Sequence, residues 1–309
     1  MPTHDVHCHF FSPRFFETLG AQAGLPGSER AADAVAARLE WEPPGSVTRL
    51  ADRWCAELDR HQVGRAVLIA SVPEDEASVL DAVARHPNRF VGFGMVDPTR
   101  AASLVRAAAA CEAGGLRGLC LFPAMFHHRL DDMAVRRVFE VAARCPGTAV
   151  FAHCGVLSVG VRARLGLGSP FDLRLGNPLD LLPIAREFAA VPVIVPHFGA
   201  GFFREALMLA DACPNVRFDT SSSNAWIKYH PGLTLIDAFR RALAVLGSGR
   251  LLFGTDSSFF PRGWNRSVHE VQQAVLDEIG VEPADRARIM ADNFEALFPT
   301  QPPGLQGGA

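Results

Sequence analysis

Two histidines one residue apart, in Asp5-Val6-His7-Cys8-His9, are the first residues here with an obvious chemistry. In a β-strand, side chains at i and i+2 share a face, so His7 and His9 project together. Paired neutral imidazoles are the start of a site for zinc or a related divalent ion. Three more polar residues end apolar runs: His153 closes Ala149-Val150-Phe151-Ala152, His197 closes Val193-Ile194-Val195-Pro196, and Asp256 closes Leu251-Leu252-Phe253-Gly254-Thr255. Any one of them alone reads equally well as a buried core residue. Together, at the same end of four apolar runs, they read as a site.

For that gathering to occur, the runs must be parallel strands that end at one mouth. Strands are expected near Thr3–His9, Arg65–Ala70, Phe90–Val96, Leu116–Phe122, Thr148–His153, Val191–His197, Val216–Thr220 and Arg250–Thr255. Helical stretches rich in Ala, Leu, Arg and Glu alternate with them, such as Val47–His61, Ala101–Ala113 and Leu235–Leu246. Eight such units imply parallel pairing through right-handed crossovers. No GxGxxG follows the first strand, where a dinucleotide-binding open sheet would carry one. The expected fold is therefore α/β, a (β/α)8 TIM barrel with its site at the C-terminal strand ends. Residues 1–300 are expected to form a single barrel domain and 301–309 a disordered tail. The segments Pro13–Pro44 and Gly155–Asn177 are long enough to act as lids or substrate loops.

Composition narrows the function classes. The chain has 309 residues and a formal net charge of −3 without charge blocks, which offers no nucleic-acid footprint. It contains no apolar run of ~18 residues for crossing a bilayer and no signal-peptide pattern at its start. Seven cysteines at irregular spacing suggest reduced thiols and a cytoplasmic location. Of the 30 basic residues only Lys228 is a lysine.

The HxH on strand one, the histidines ending strands five and six and the Asp ending strand eight resemble the amidohydrolase superfamily. Further motifs narrow the resemblance to the amidohydrolase-related branch that contains aminocarboxymuconate semialdehyde decarboxylase: Asp5–Pro13 (DVHCHFFSP), Gly115–Pro123 (GLRGLCLFP), Pro196–Gly201 (PHFGAG), Phe253–Ser257 (FGTDS) and Ile289–Phe298 (IMADNFEALF). The resemblance spans nearly the whole chain. It implies that His7, His9, His153 and Asp256 are metal ligands, with His197 the general acid/base. Asp256 is ambiguous, since a carboxylate there could ligate, accept a proton, or do both. Three imidazoles and one carboxylate leave an open position where a divalent ion lowers the pKa of water towards ~7.

Many binuclear relatives bridge two metals through a carboxylated Lys or a Glu on strand four. The matching residue here is Cys120, so one metal ion is expected, zinc first and manganese or iron as alternatives. Cys120 either faces the site or is a small buried thiol, the latter being its ordinary reading. Asp5 either orients a ligand or merely starts the strand.

Substrate contacts are expected from loops. Arg262, Trp264 and Arg266 follow Asp256 and could bind a carboxylate and stack on a ring. His127 and His128 follow strand four, and Trp226 follows strand seven; an exposed loop explains the two histidines about as well. The resulting expectation is a mononuclear metal-dependent hydrolase of a small, carboxylate-bearing substrate, with a homodimer allowed and no nucleic-acid or membrane partner. Its rival is a nonhydrolytic decarboxylase of an aromatic or unsaturated acid. A TatD-type nuclease and a non-catalytic barrel rank below both.

Overall fold

The computed structural model describes residues 2–25 and 31–300. The tail expected at 301–309 lies outside them. Eight strands form one sheet in chain order: β1 (Thr3–Phe10), β2 (Val63–Ala70), β3 (Phe90–Met95), β4 (Leu116–Leu121), β5 (Ala149–Ala152), β6 (Val193–Val195), β7 (Val216–Asp219) and β8 (Leu251–Leu252). Every neighbouring pair is parallel. The sheet curls until β8 meets β1. There Val6 N–H donates to the Phe253 carbonyl at 3.0 Å and Asp256 N–H to the His7 carbonyl at 3.0 Å, and a parallel bridge joins Cys8 to Ser257. This is the expected α/β barrel.

Strands buried on both faces read as continuous apolar runs, and these do. One face fills the barrel with Val67, Ile69, Val91, Phe93, Cys120, Phe151 and Ile194, plugged from below by Phe294 and Phe298. The other packs on the surrounding helices. The helix Val47–Arg60 shows why: Leu50, Trp54 and Leu58 recur at four-residue spacing and are buried, and Ser46 caps its start by accepting from Arg49 N–H.

Two departures from simple strand geometry serve the mouth. In β1, three steps from Asp5 to Cys8 face two steps from Ala66 to Leu68, so β1 carries a bulge. Val6 consequently packs inside the barrel while Cys8 packs outside, though they are two positions apart and a regular strand would put both on one face. The later strands are also shorter than their apolar runs. β8 keeps two paired residues where six were expected, because the chain leaves the ladder to turn at the mouth.

Both expected lid segments lie together. The helices Pro13–Gln22 and Ala31–Arg38 contribute Phe15, Phe16, Leu19 and Val35 to a separate small core, joined by Leu39 just past the second helix. Val161 and Leu165, within and just beyond the helix Gly160–Arg164, complete it from the loop after β5.

Candidate metal centre

His7, His9 and Asp256 present one ligand atom each within 4.8 Å of one another, the cluster of this kind found among the described residues. His7 Nε2 and His9 Nε2 are 3.3 Å apart, and Asp256 Oδ1 lies 3.6 and 3.5 Å from them. The opposite ring atoms fix what these atoms are. His7 Nδ1 meets Asp219 Oδ2 at 2.6 Å, so it carries a proton and donates. His9 Nδ1 meets Ser71 Oγ at 2.9 Å, whose own hydrogen goes to the Ile69 carbonyl at 3.0 Å, so His9 Nδ1 is again the donor. Both Nε2 atoms are therefore lone pairs turned toward each other and toward a carboxylate oxygen. With Asp256 ionised, three acceptors with no donor between them repel, and a cation among them removes the conflict and favours the ionised carboxylate. The donor set fits a divalent ion.

The electrostatics agree. Burial lowers His7 to about 3 and holds His9 and His153 well below the ordinary imidazole value, so all three are neutral at pH 7 and have lone pairs to give. Burial raises Asp256 to about 7, against the pull of the Arg262 guanidinium. Asp256 sits at φ 59°, a left-handed backbone that few non-glycine residues adopt, and that turn brings its carboxylate back over β1. The neighbouring Gly254 is required by contact: a Cβ there would come 2.8 Å from Asp219 Oδ1 and 3.1 Å from His7 Cβ.

His153 and His197 line the same cavity. His153 stacks on Phe122 at 5.5 Å and stands outside the tight cluster, with its ring 5.3 Å from His197 and its buried Nδ1 without a partner among the described residues. His197 follows β6 in a left-handed turn (φ 55°) continued by Phe198 and Ala200. Its Nδ1 lies 2.9 Å from Ser221 Oγ, which also reaches His7 Nδ1 at 3.0 Å. Burial, and then His7, hold His197 down to about 4.

Three supporting residues were not singled out in the sequence: Asp219, Ser221 and Ser71. Asp219 left a signal, being a carboxylate at the end of an apolar strand like Asp256, and it is wholly buried. Asp5 does more than start its strand. Its carboxylate receives His7 N–H (2.9 Å), Thr255 N–H (3.1 Å), the Thr255 hydroxyl (2.5 Å) and the Trp264 indole N–H (2.7 Å). It thereby clamps β1 to the segment after β8.

That clamp corrects the reading of Trp264 as a substrate contact. Its ring is 3% exposed, its indole is committed to Asp5 and its backbone N–H to Glu57 Oε1. Arg266 points to solvent, paired with Glu270 at 2.7 Å. His127 bonds the Pro170 carbonyl, and His128 is buried against the Arg129 carbonyl; neither lines the cavity. Arg262 and Trp226 do line it. Arg262 is held beside the cluster by the Asp256 carbonyl at 3.2 Å and Ser258 Oγ at 2.8 Å. Cys120 is wholly buried in the barrel interior, level with Met95 and Phe151, and does not reach the cavity.

The cavity measures about 700 Å³, a size for a small molecule. Among the described residues no helix is long and apolar enough to cross a membrane. The family model described as amidohydrolase matches residues 4–300. Solved structures share the fold. An amidohydrolase from Burkholderia multivorans with bound zinc is 15% identical with a TM-score of 0.63, covering 97% of this chain and 100% of that one. A 5-carboxyvanillate decarboxylase from Sphingomonas paucimobilis is 15% identical with a TM-score of 0.62, covering 97% and 99%. A 2,6-dihydroxybenzoate decarboxylase from Rhizobium is 16% identical with a TM-score of 0.60, covering 96% and 98%. No curated protein matches the sequence.

Proposed function

The chain belongs to the amidohydrolase family of metal-dependent enzymes, and from that premise we propose that its barrel mouth is a mononuclear centre hydrolysing a small carboxylate-bearing substrate. His7, His9, His153 and Asp256 would hold the ion, with zinc preferred for an imidazole-rich set and manganese or iron as alternatives. The observation that carries the reading is the meeting of the two Nε2 lone pairs and Asp256 Oδ1. Strand four offers Cys120 in the barrel interior rather than a bridging carboxylate, which supports one ion instead of two.

When bound, the ion supplies Lewis acidity and a water of lowered pKa. The side chains do the rest. Asp219 keeps the His7 Nδ1 proton in place, so that Nε2 remains a lone pair. His197 has its Nδ1 turned to Ser221, which leaves Nε2 to exchange protons with the reacting molecule. Held neutral by burial, it begins as a base, the state that activation of water requires. Arg262 offers a carboxylate a charged partner beside the cluster.

A second reading keeps the same centre for nonhydrolytic decarboxylation. It is supported by the aromatic wall around the cavity, where Trp41 and Phe259 stack at 4.0 Å, and by the fold shared with two decarboxylases of aromatic acids. Turnover of a screened substrate in oxygen-18 water and in deuterium oxide separates them. Oxygen-18 in the organic product is the expected result; carbon-bound deuterium with carbon dioxide release would overturn hydrolysis in favour of the second reading.

A further inference from the structure

The cavity wall is much more positive than the protein. Arg164, Lys228 and Arg262 line it against a single carboxylate, Asp256, while the chain as a whole has a formal charge of −3. That excess of two positive charges precedes any contribution from a metal ion. One anionic group beside Arg262 leaves it unbalanced.

Two of the cations flank one aromatic stack. Trp41 and Phe259 stack at 4.0 Å and 9°. Arg164 stands against Trp41, 5.8 Å from its ring centre, and Arg262 against Phe259 at 4.6 Å. Arg262 belongs to the barrel, anchored through the Asp256 carbonyl. Arg164 belongs to the covering segments. It ends the helix Gly160–Arg164, whose Val161 and the following Leu165 are buried among the apolar residues of the Pro13–Gln22 and Ala31–Arg38 helices. Its Nη2 donates to the Leu39 carbonyl and lies 3.7 Å from Glu40, a carboxylate that is 88% exposed and so a weak partner. These contacts among the described residues all use Nη2, which leaves the rest of a planar five-donor fork for a ligand.

We propose that Arg164 is a specificity-determining residue that selects substrates with a second anionic group, so that the cavity prefers a flat conjugated acid with two negative groups over its mono-anionic analogue. The inference rests on the proposed metal centre only for where the first anionic group goes. Aromatic side chains of the cavity wall supply apolar contact for the ring, and the two guanidinium groups sit toward opposite members of the Trp41–Phe259 stack. Because Arg164 is positioned by the small covering core, this selectivity is separable from the residues at the mouth of the barrel.

The test is calorimetric binding of benzoate, benzene-1,3-dicarboxylate and benzene-1,4-dicarboxylate to the full chain, metal-loaded and chelator-treated. At least one dicarboxylate is expected to bind ~10- to 100-fold more tightly than benzoate, the value of one charge-assisted contact. Arg164→Met, which keeps the apolar stem, should abolish that advantage and leave benzoate within about 2-fold. Arg164→Lys should recover part of it, as a point charge without the fork. Equal binding of all three acids to the unaltered protein, binding of none of them, or parallel weakening of benzoate and dicarboxylate in Arg164→Met would each overturn the proposal. The last outcome would make Arg164 a tie between loops. A protein that takes up no metal but keeps the Arg164-dependent preference refutes the proposed centre alone.

Discussion

Asp219→Asn tests the centre at a residue that touches neither ion nor substrate. In the unaltered protein Asp219 is wholly buried, its Oδ2 is 2.6 Å from His7 Nδ1, and its Oδ1 accepts Ser221 N–H at 2.7 Å. The amide keeps the shape and can still accept from Nδ1, but it removes the charge. A hydrogen bond to a charged group contributes about 1.5–3 kcal/mol against about 1 kcal/mol for a neutral pair, so roughly 1–2 kcal/mol of support for His7 is lost. At 1.4 kcal/mol per factor of ten, metal affinity should fall ~5- to 30-fold. That overlaps the ~10- to 100-fold range usual for partners behind metal-binding histidines.

The metal-free protein should respond in the opposite sense. Burial raises the Asp219 pKa to about 6, with His197 and Ser221 opposing, so at neutral pH the fold keeps a costly buried charge. Asparagine relieves that cost. The thermal midpoint of the chelator-treated variant should therefore equal or exceed that of the unaltered protein, while chelator competition shows weaker metal binding. A variant with unchanged metal affinity would refute His7 as a ligand supported by Asp219. A fall of both quantities together would show that Asp219 holds the fold rather than the ion.

Metal analysis of chelator-free protein should give close to one equivalent, and two equivalents both needed for activity would overturn the reasoning from Cys120. His197→Asn should keep the metal and lose roughly 10²- to 10⁴-fold in turnover; loss of metal would make His197 a ligand. Metal-free protein should lose stability as pH falls below ~6.5. The sign follows because His4, His7, His9, His128, His153, His197 and His269 are all lowered by burial, so the unfolded chain binds more protons than the folded one between their folded and unfolded pKa values. Asp5, Asp219 and Asp256, raised to about 6, 6 and 7, and Asp75 and Asp180, also raised by burial, act in the opposite direction, but the seven histidines outnumber these five carboxylates. A net excess of two protons corresponds to about 2.7 kcal/mol per pH unit, and a flat denaturation profile from pH 7 to 5 would contradict the histidine burial. Trp264→Phe should destabilise the fold by about 1–3 kcal/mol in denaturant titration by removing one donor from the buried Asp5 carboxylate; an unchanged midpoint would show that the remaining three donors suffice.

What could be read from the sequence, and what could not, follows from the range of the physics involved. Strand periodicity is local, and parallel strands buried on both faces leave long apolar runs, so the order of the eight strands and the edge carrying His7, His9, His153, His197 and Asp256 were legible. The substrate contacts depended on where loops turn, which is not local. Arg262, Trp264 and Arg266 lie within five residues, yet the structure sends one to the cavity, one beneath the site and one to solvent. Trp264 goes inward because a wholly buried carboxylate, Asp5, needs donors, and its partner is 259 residues away in the chain. No composition or spacing rule reports such a demand.

The same distinction explains Arg164. Its neighbours in sequence are ordinary loop residues, and its place on the cavity wall exists only because two separate insertions, after β1 and after β5, share one small core. The barrel and the covering segments therefore divide the work by depth. Buried strand ends fix acceptors whose positions tolerate little change, since Gly254 has no room for even a methyl group beside Asp219 and His7. The covering helices hold their cation through a single backbone carbonyl and a solvent-exposed carboxylate, contacts that a few substitutions could rearrange. Chemistry fixed by a close-packed floor and selectivity set by a loosely tied roof can change independently, and the separate responses expected of Asp219→Asn and Arg164→Met are the measurable form of that division.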